Sequence, residues 1–166
     1  SLVPVARGFA DKGSGRIYGV EPWDNAVAVE TVTNEGNDQW WLEVDLLGIK
    51  RSFLRRISDL GLEKHVKILE VPSDSALLIF QTARFAGKID LVHVDGAHSV
   101  EQSTLDCAYW LRLLKPGGHL VLDDIDWGTV DTAHRFLEQA ADRVFISESA
   151  ENGYFVVFRK RGGPQP

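Results

Sequence analysis

The sequence predicts one α/β domain: a doubly wound, mostly parallel sheet with helices on both faces and an antiparallel hairpin at its C-terminal end. Three observations predict it. From Val66 onward, short apolar runs alternate with helix-length segments, and strands joined that way need right-handed crossovers, hence parallel neighbours covered on both faces. The alternation stops where Val144 to Ser147 and Tyr154 to Arg159 are joined only by a turn around Glu151-Asn152-Gly153, too short for a crossover. At 166 residues the chain has room for one ordinary domain, since single domains run ~100 to 200 residues.

The chain opens as a helix, with Val5, Ala6, Phe9 and Ala10 at three- and four-residue spacing, until Gly13 and Gly15 stop it. Arg16 to Val20 reads as the first strand, ended at Glu21-Pro22-Trp23 because proline cannot donate to a ladder. Residues 24–48 are polar and lack a clean period. With Asn34-Glu35-Gly36-Asn37 and the pair Trp40-Trp41, they read as a loop or lid insertion. Phe53, Ile57 and Leu60 mark a helix face, and Gly61 suits the left-handed position that ends helices.

Val66 to Val71 reads as a strand, and Ser73 starts a helix with Ala76, Leu77, Phe80 and Ala83 on its apolar face, stopped near Gly87. Ile89 to Asp95 is the next strand and Ser99 to Leu114 the next helix. Lys115-Pro116-Gly117-Gly118 is a turn, and His119 to Asp123 a third apolar strand. A helix with Val130, Ala133, Leu137 and Ala140 on one side precedes the hairpin. The expected domain is therefore 1–161, with 162–166 a disordered tail.

Composition narrows the function. Hydrophobic residues at 44% and charged residues at 25% suit a chain that buries a core. No run approaches the ~18 apolar residues of a bilayer span, and no basic-then-apolar leader opens the chain, so no membrane partner is expected. A net charge of -6 with scattered basic residues argues against nucleic acid. The single cysteine excludes an internal disulfide and fits a cytoplasmic location.

An open parallel sheet binds its ligand beyond the carboxyl ends of its strands, and there the sequence places acids. Glu21, Asp95 and Asp123-Asp124 each end a predicted strand and should share one rim, with Ser73 after the remaining strand. Carboxylates brought together without a cation gain proton affinity and lose stability, so the set suggests a divalent metal or a cationic ligand. Each acid also has a plainer reading. Glu21 could be a surface residue before a proline turn, Asp95-Gly96 a turn dipeptide, and Asp124 a charge at the start of the following helix. What outweighs these is that all of them fall on one topological edge.

His98 lies just outside a helix start, where Ser99 and Gln102 suggest a capping box, three residues beyond Asp95. An imidazole there can take a proton from a hydroxyl. His93 and His119 fall inside strands and read as structural. Cys107, on the stripe Val100, Thr104, Cys107, Leu111 and Leu114, reads as core, and Trp110 as packing. Trp40 and Trp41 could form an apolar substrate wall or a satellite cluster under the loop.

The run Ile89-Asp90-Leu91-Val92-His93-Val94-Asp95-Gly96-Ala97-His98-Ser99, followed by Leu114-Lys115-Pro116-Gly117-Gly118-His119-Leu120-Val121-Leu122-Asp123-Asp124, resembles the core of class I S-adenosylmethionine (SAM)-dependent methyltransferases, whose fold is Rossmann-like. It is most similar to bacterial small-molecule O-methyltransferases that use a divalent metal, the group around macrolide-sugar methyltransferases, with catechol-type enzymes more distant. Gly15-Arg16-Ile17-Tyr18-Gly19-Val20-Glu21-Pro22-Trp23 matches the second-strand segment, whose acid holds the cofactor ribose, and the hairpin agrees with the reversed last strand. The matched segments run from Gly15 to about Trp127.

The resemblance implies Glu21 as the ribose ligand and the Ser73-Asp74 turn as an adenine-side contact, with Ser75 an alternative alignment. It implies Asp95, Asp123 and Asp124 as ligands of a divalent ion, Mg2+ first, with Asp95 also at the cofactor, and His98 as the base. The acceptor would be a hydroxyl of a small molecule, and a homo-oligomer is compatible with it. One departure stands out. The family's glycine-rich loop should precede the opening helix, whereas Gly13-Ser14-Gly15 precede a strand, so the chain is expected to begin inside the domain with one central strand missing. Two other readings compete. An NAD-type oxidoreductase also places an acid after its second strand, although the reversed hairpin and paired aspartates argue against it. A non-catalytic cofactor-binding module would suit the missing loop.

Overall fold

The structure, a computed structural model, describes residues 2–29 and 34–162. Residues 30–33 of the expected loop and 163–166 of the expected tail lie outside the described residues. By its internal contacts the chain divides into two compact units, one formed by the residues up to Val29 with Glu35–Ala76, the other built mainly from Leu77 onward.

In the first unit, α1 (Leu2–Lys12) packs Leu2, Val3, Ala6 and Ala10 into a cluster with Ile17, Phe53, Ile57, Leu62, Val66 and Ile68. Gly13 and Gly15, at φ +74° and +116°, turn the chain out of α1. A Cβ on Gly15 would stand 2.2 Å from the Phe9 ring, so only glycine allows the strand to leave so close to the helix. That strand, β1 (Ile17–Val20), pairs in parallel with β2 (Val66–Leu69), Ile17 opposite Val66 and Val20 opposite Leu69. Between them, α4 (Leu46–Asp59) is capped by Asp45, whose carboxylate accepts from the Gly48 N–H at 2.7 Å, and ends before Gly61 at φ +65°.

The loop reading of 24–48 is corrected. Asn25–Ala28 form a short α2, with the Asp24 carboxylate accepting from the Ala26 N–H, and Glu35–Glu43 form α3. The Asn25 side-chain amide donates to the carbonyls of Trp41 at 2.6 Å and Val44 at 2.9 Å, fastening α2 to the end of α3. The helices were not visible by periodicity because Trp40, Trp41 and Leu42 are consecutive and so spread around α3 instead of forming a stripe.

The helix α5 (Ser73–Phe80) begins in the first unit and ends in the second. It stops well before Gly87, where the sequence placed its end. The Thr82 hydroxyl donates to the Ile79 carbonyl at 2.8 Å, giving that terminal group a partner other than the next helical turn, and Ala83 is exposed.

In the second unit, β3 (Ile89–Val94), α6 (Val100–Leu113), β4 (Leu114–Leu122), α7 (Asp131–Ala140), β5 (Ala141–Ser149) and β6 (Gly153–Lys160) follow in order. The strands lie in the order β3-β4-β6-β5, with β3 and β4 parallel and the other two pairings antiparallel, as the crossover and hairpin lengths require. Lys115-Pro116-Gly117-Gly118, expected as a turn before the strand, is instead a bulge within it. Leu114 already pairs with Ile89, and pairing resumes with His119 opposite Leu91. A Cβ on Gly118 would come within 3.0–3.1 Å of the carbonyl oxygens of Lys115, Asp90 and Ile89, so the bulge closes only around a bare backbone.

Beyond the bulge, Leu120 faces Phe158 and Leu122 faces Val156, all four at most 2% exposed. Burying one such side chain stabilises by roughly 1.5–3 kcal/mol. The Lys160 ammonium donates to the carbonyls of Arg112 and Leu114, both at 2.7 Å, holding the end of β6 to the junction of α6 and β4. Among the described residues, no helix is long and apolar enough to cross a membrane.

Candidate active site

Two strand ends carry the expected site residues, one in each unit. At the first, the Glu21 N–H donates to the Leu69 carbonyl at 3.0 Å, which extends the β1-β2 ladder by one rung and leaves Glu21 just past the strand. Its carboxylate Oε1 accepts from the Trp23 backbone N–H at 2.9 Å. Trp23 sits at φ +56°, a conformation unusual for a tryptophan. Its indole packs 6.2 Å from the Phe53 ring, and the buried Nε1 has no hydrogen-bond partner. Ser73 opens α5 beyond the end of β2, and the exposed Asp74 accepts from the Ser75 N–H at 2.5 Å. Glu21, Ser73 and Asp74 thus follow the same ends of a parallel pair.

At the second, Val94 pairs with Leu122 and the Asp123 N–H donates to the Val94 carbonyl at 3.0 Å, so Asp95 and Asp123 leave adjacent parallel strands together. His93 Nε2 lies 2.9 Å from Asp123 Oδ2, and donor atoms of His93, Asp95 and Asp123 all lie within 4.8 Å of one another. Asp124 is at φ +55°, and its Oδ2 lies 2.7 Å from His98 Nε2. Trp127 stacks obliquely 4.5 Å from the His98 ring.

The Asp95 carboxyl is raised above the ordinary carboxylate range. Crowding by protein atoms, which thins its hydration, is the first cause, although the residue remains open to solvent on one side. The Asp123 and Asp124 charges push the same way, while His93 and His98 oppose them.

The structure therefore brings Asp95, Asp123, Asp124 and His98 to one edge, and Glu21, Ser73 and Asp74 to another within its own unit. Sequence reasoning missed His93, which reads as structural because it lies inside a strand. The signal was present in the strand period: Val94 is buried, so His93 and Asp95, two apart, share the opposite face. The expected capping box is half formed. Ser99 Oγ accepts from the Gln102 N–H at 3.3 Å, but the Gln102 side chain donates to Asp106.

Cys107 is fully buried, as its stripe predicts, and burial pushes its thiol up to about 12. Trp110 is core, with its ring 5.3 Å from Phe80. Trp40 and Trp41 meet edge to face at 4.7 Å, with Trp40 55% exposed.

Parallel strands with helical crossovers, a reversed closing hairpin and acids at the strand ends define a Rossmann-like methyltransferase fold, and the comparisons agree. A methyltransferase-domain family matches residues 1–125, and the chain belongs to that family. Among similar solved structures, the O-methyltransferase TomG from Streptomyces achromogenes, involved in tomaymycin synthesis and in complex with SAM, is 19% identical. That match covers 89% of this chain and 73% of TomG, with a TM-score of 0.58. The O-methyltransferase NovP is 16% identical over 89% of this chain and 60% of its own, with a TM-score of 0.58. An O-methyltransferase from Bacillus cereus, in complex with SAH, is 15% identical over 93% of this chain and 78% of its own, with a TM-score of 0.54. At these identities the likeness is one of fold. No curated protein matches the chain in sequence.

Proposed function

We propose that the protein transfers a methyl group from SAM to a hydroxyl of a small molecule with the help of a divalent metal. The observation that carries this reading is the pairing of a histidine–carboxylate dyad, His98 with Asp124, with a second carboxylate–imidazole set, His93, Asp95 and Asp123, on one strand edge. Membership of the methyltransferase family, and the O-methyltransferase activity named for TomG and NovP, support it.

When bound, SAM supplies a methyl group already activated on a sulfonium, so the protein has to align the acceptor and remove its proton. Glu21, its carboxylate oriented by the Trp23 N–H, would accept hydrogen bonds from the ribose hydroxyls, with Ser73 and Asp74 toward the adenine. Asp95 would stand at the metal. Carboxylates and an imidazole with donor atoms within 4.8 Å are a donor set that fits a divalent ion, which when bound supplies charge that favours an ionised acceptor oxygen. Asp123 belongs to that set, and Asp124, also implied as a ligand by the family resemblance, stands beside it.

His98 Nε2 lies 2.7 Å from Asp124 Oδ2, a contact that orients the imidazole, and His98 would take the hydroxyl proton. Asp124 then stabilises the imidazolium, and Trp127 restrains the ring. The net charge of -6 suits a small-molecule acceptor better than a polyanion or an anionic membrane surface.

The test is calorimetric titration with SAM, against NAD as control, followed by methyl transfer to vicinal diols with and without EDTA. SAM binding and EDTA-sensitive transfer are expected. NAD binding without SAM binding would overturn the proposal, and transfer indifferent to EDTA would reduce it to a metal-free methyltransferase.

A further inference from the structure

We infer that His93 is itself a metal ligand, so that the site is one imidazole with two carboxylates, His93, Asp95 and Asp123, and favours Mn2+ over Mg2+. The inference rests on the metal-dependent reading above and deepens it. His93 and Asp95 lie two apart on β3 and so share a face, while Asp123 leaves the neighbouring parallel strand one residue past Leu122, which pairs with Val94. Three donors therefore converge from two strands whose spacing is fixed by backbone hydrogen bonds, with the Asp123 N–H bonded to Val94 at 3.0 Å.

The distances suit one ion. Ligands bound at about 2.0–2.2 Å can stand no more than about 4.4 Å apart. The three donor atoms already lie within 4.8 Å of one another, so rotation about side-chain bonds is enough to close the set. The side chains of His93 and Asp123 are each 29% exposed, open enough for a hydrated ion to enter and shed water.

Asp124 makes the assignment sharper. Its φ of +55° directs its carboxylate onto His98 at 2.7 Å, while Asp123, its neighbour in sequence, stays with His93 at 2.9 Å. The donor that completes the set with Asp95 and Asp123 is then a nitrogen. Mg2+ prefers all-oxygen surroundings, whereas first-row transition ions accept imidazole readily, so a nitrogen ligand tilts the site toward Mn2+.

The experiment adds Mn2+ alone to the full chain and records pulsed electron paramagnetic resonance, which detects modulation from a directly bound imidazole nitrogen. Bound Mn2+ with nitrogen modulation is expected. His93→Asn should abolish the modulation and weaken Mn2+ binding by about tenfold or more, with a smaller loss for Mg2+ measured by competition, while His98→Asn should leave the modulation intact. Mn2+ bound without modulation, or modulation lost in His98→Asn and kept in His93→Asn, would overturn the inference and leave the metal-dependent reading standing. No Mn2+ uptake would overturn both. The wild-type spectrum decides even if a variant folds poorly.

Discussion

The two strand ends surround the same kind of residue with different neighbours. At the end of β1, Glu21 is an acid whose carboxylate is oriented by a backbone N–H from Trp23. At the ends of β3 and β4, Asp95, Asp123 and Asp124 are crowded together with two imidazoles, and Asp95 is pushed toward its neutral form. A carboxylate oriented by a backbone N–H still has acceptor lone pairs to offer neutral hydroxyls. A crowded set stores repulsion that a cation relieves. The difference teaches that an acid at a strand end carries little information by itself, and that, in the proposed function, its immediate neighbours would decide between ribose and metal.

Substitutions can break that contrast. The largest effect should come from Asp123→Asn, which removes a charge from the crowded edge: methyl transfer at saturating divalent ion should disappear, while SAM binding by calorimetry persists. Retained turnover would remove Asp123 from the metal set. Next, His98→Ala should lower kcat by ~100- to 10,000-fold with little change in SAM affinity, because proton-transfer help is worth that much and its partner Asp124 stays in place. Equal turnover would take His98 out of the mechanism.

Glu21→Gln probes the other edge. SAM affinity should fall by about ten- to a hundredfold, the range expected when hydrogen bonds lose their charged acceptor, with Mn2+ binding unchanged. An equal loss of Mn2+ binding would erase the distinction between the edges. The smallest effect is a control on raised pKa values. Cys107, lifted to about 12 by burial, is protonated at pH 8, so thiol reagents should leave the folded chain unlabelled and modify it only on unfolding. Rapid labelling of folded protein would show that the core around α6 opens readily.

Most of the second unit was legible because each element carries its own punctuation. Ser99 caps α6, the apolar alternation of Leu120 and Leu122 marks β4, and Asn152-Gly153 marks the hairpin turn. In the first unit, α3 was hidden because its apolar residues are contiguous instead of spaced by a turn. The early end of α5 at Phe80 depends on a local hydroxyl-to-carbonyl bond that no period reveals. The bulge at 115–118 was read as a turn because glycine and proline mark both, and only the pairing of Ile89 with Leu114 tells them apart. The acids of the site could be listed from strand ends alone. Which imidazole each would meet could not, since His93 needed the strand parity and the Asp124 contact needed a backbone angle.

That angle has a consequence for what can stand at position 124. A left-handed residue parts two consecutive carboxylates so that each serves its own histidine, and without it both would compete for one space. Asparagine tolerates the twist and glycine adopts it freely, whereas most other side chains would resist it by about 1 kcal/mol or more. Shape and charge at this corner are therefore separable: asparagine would keep the corner and drop the charge, and alanine would strain the first while losing the second.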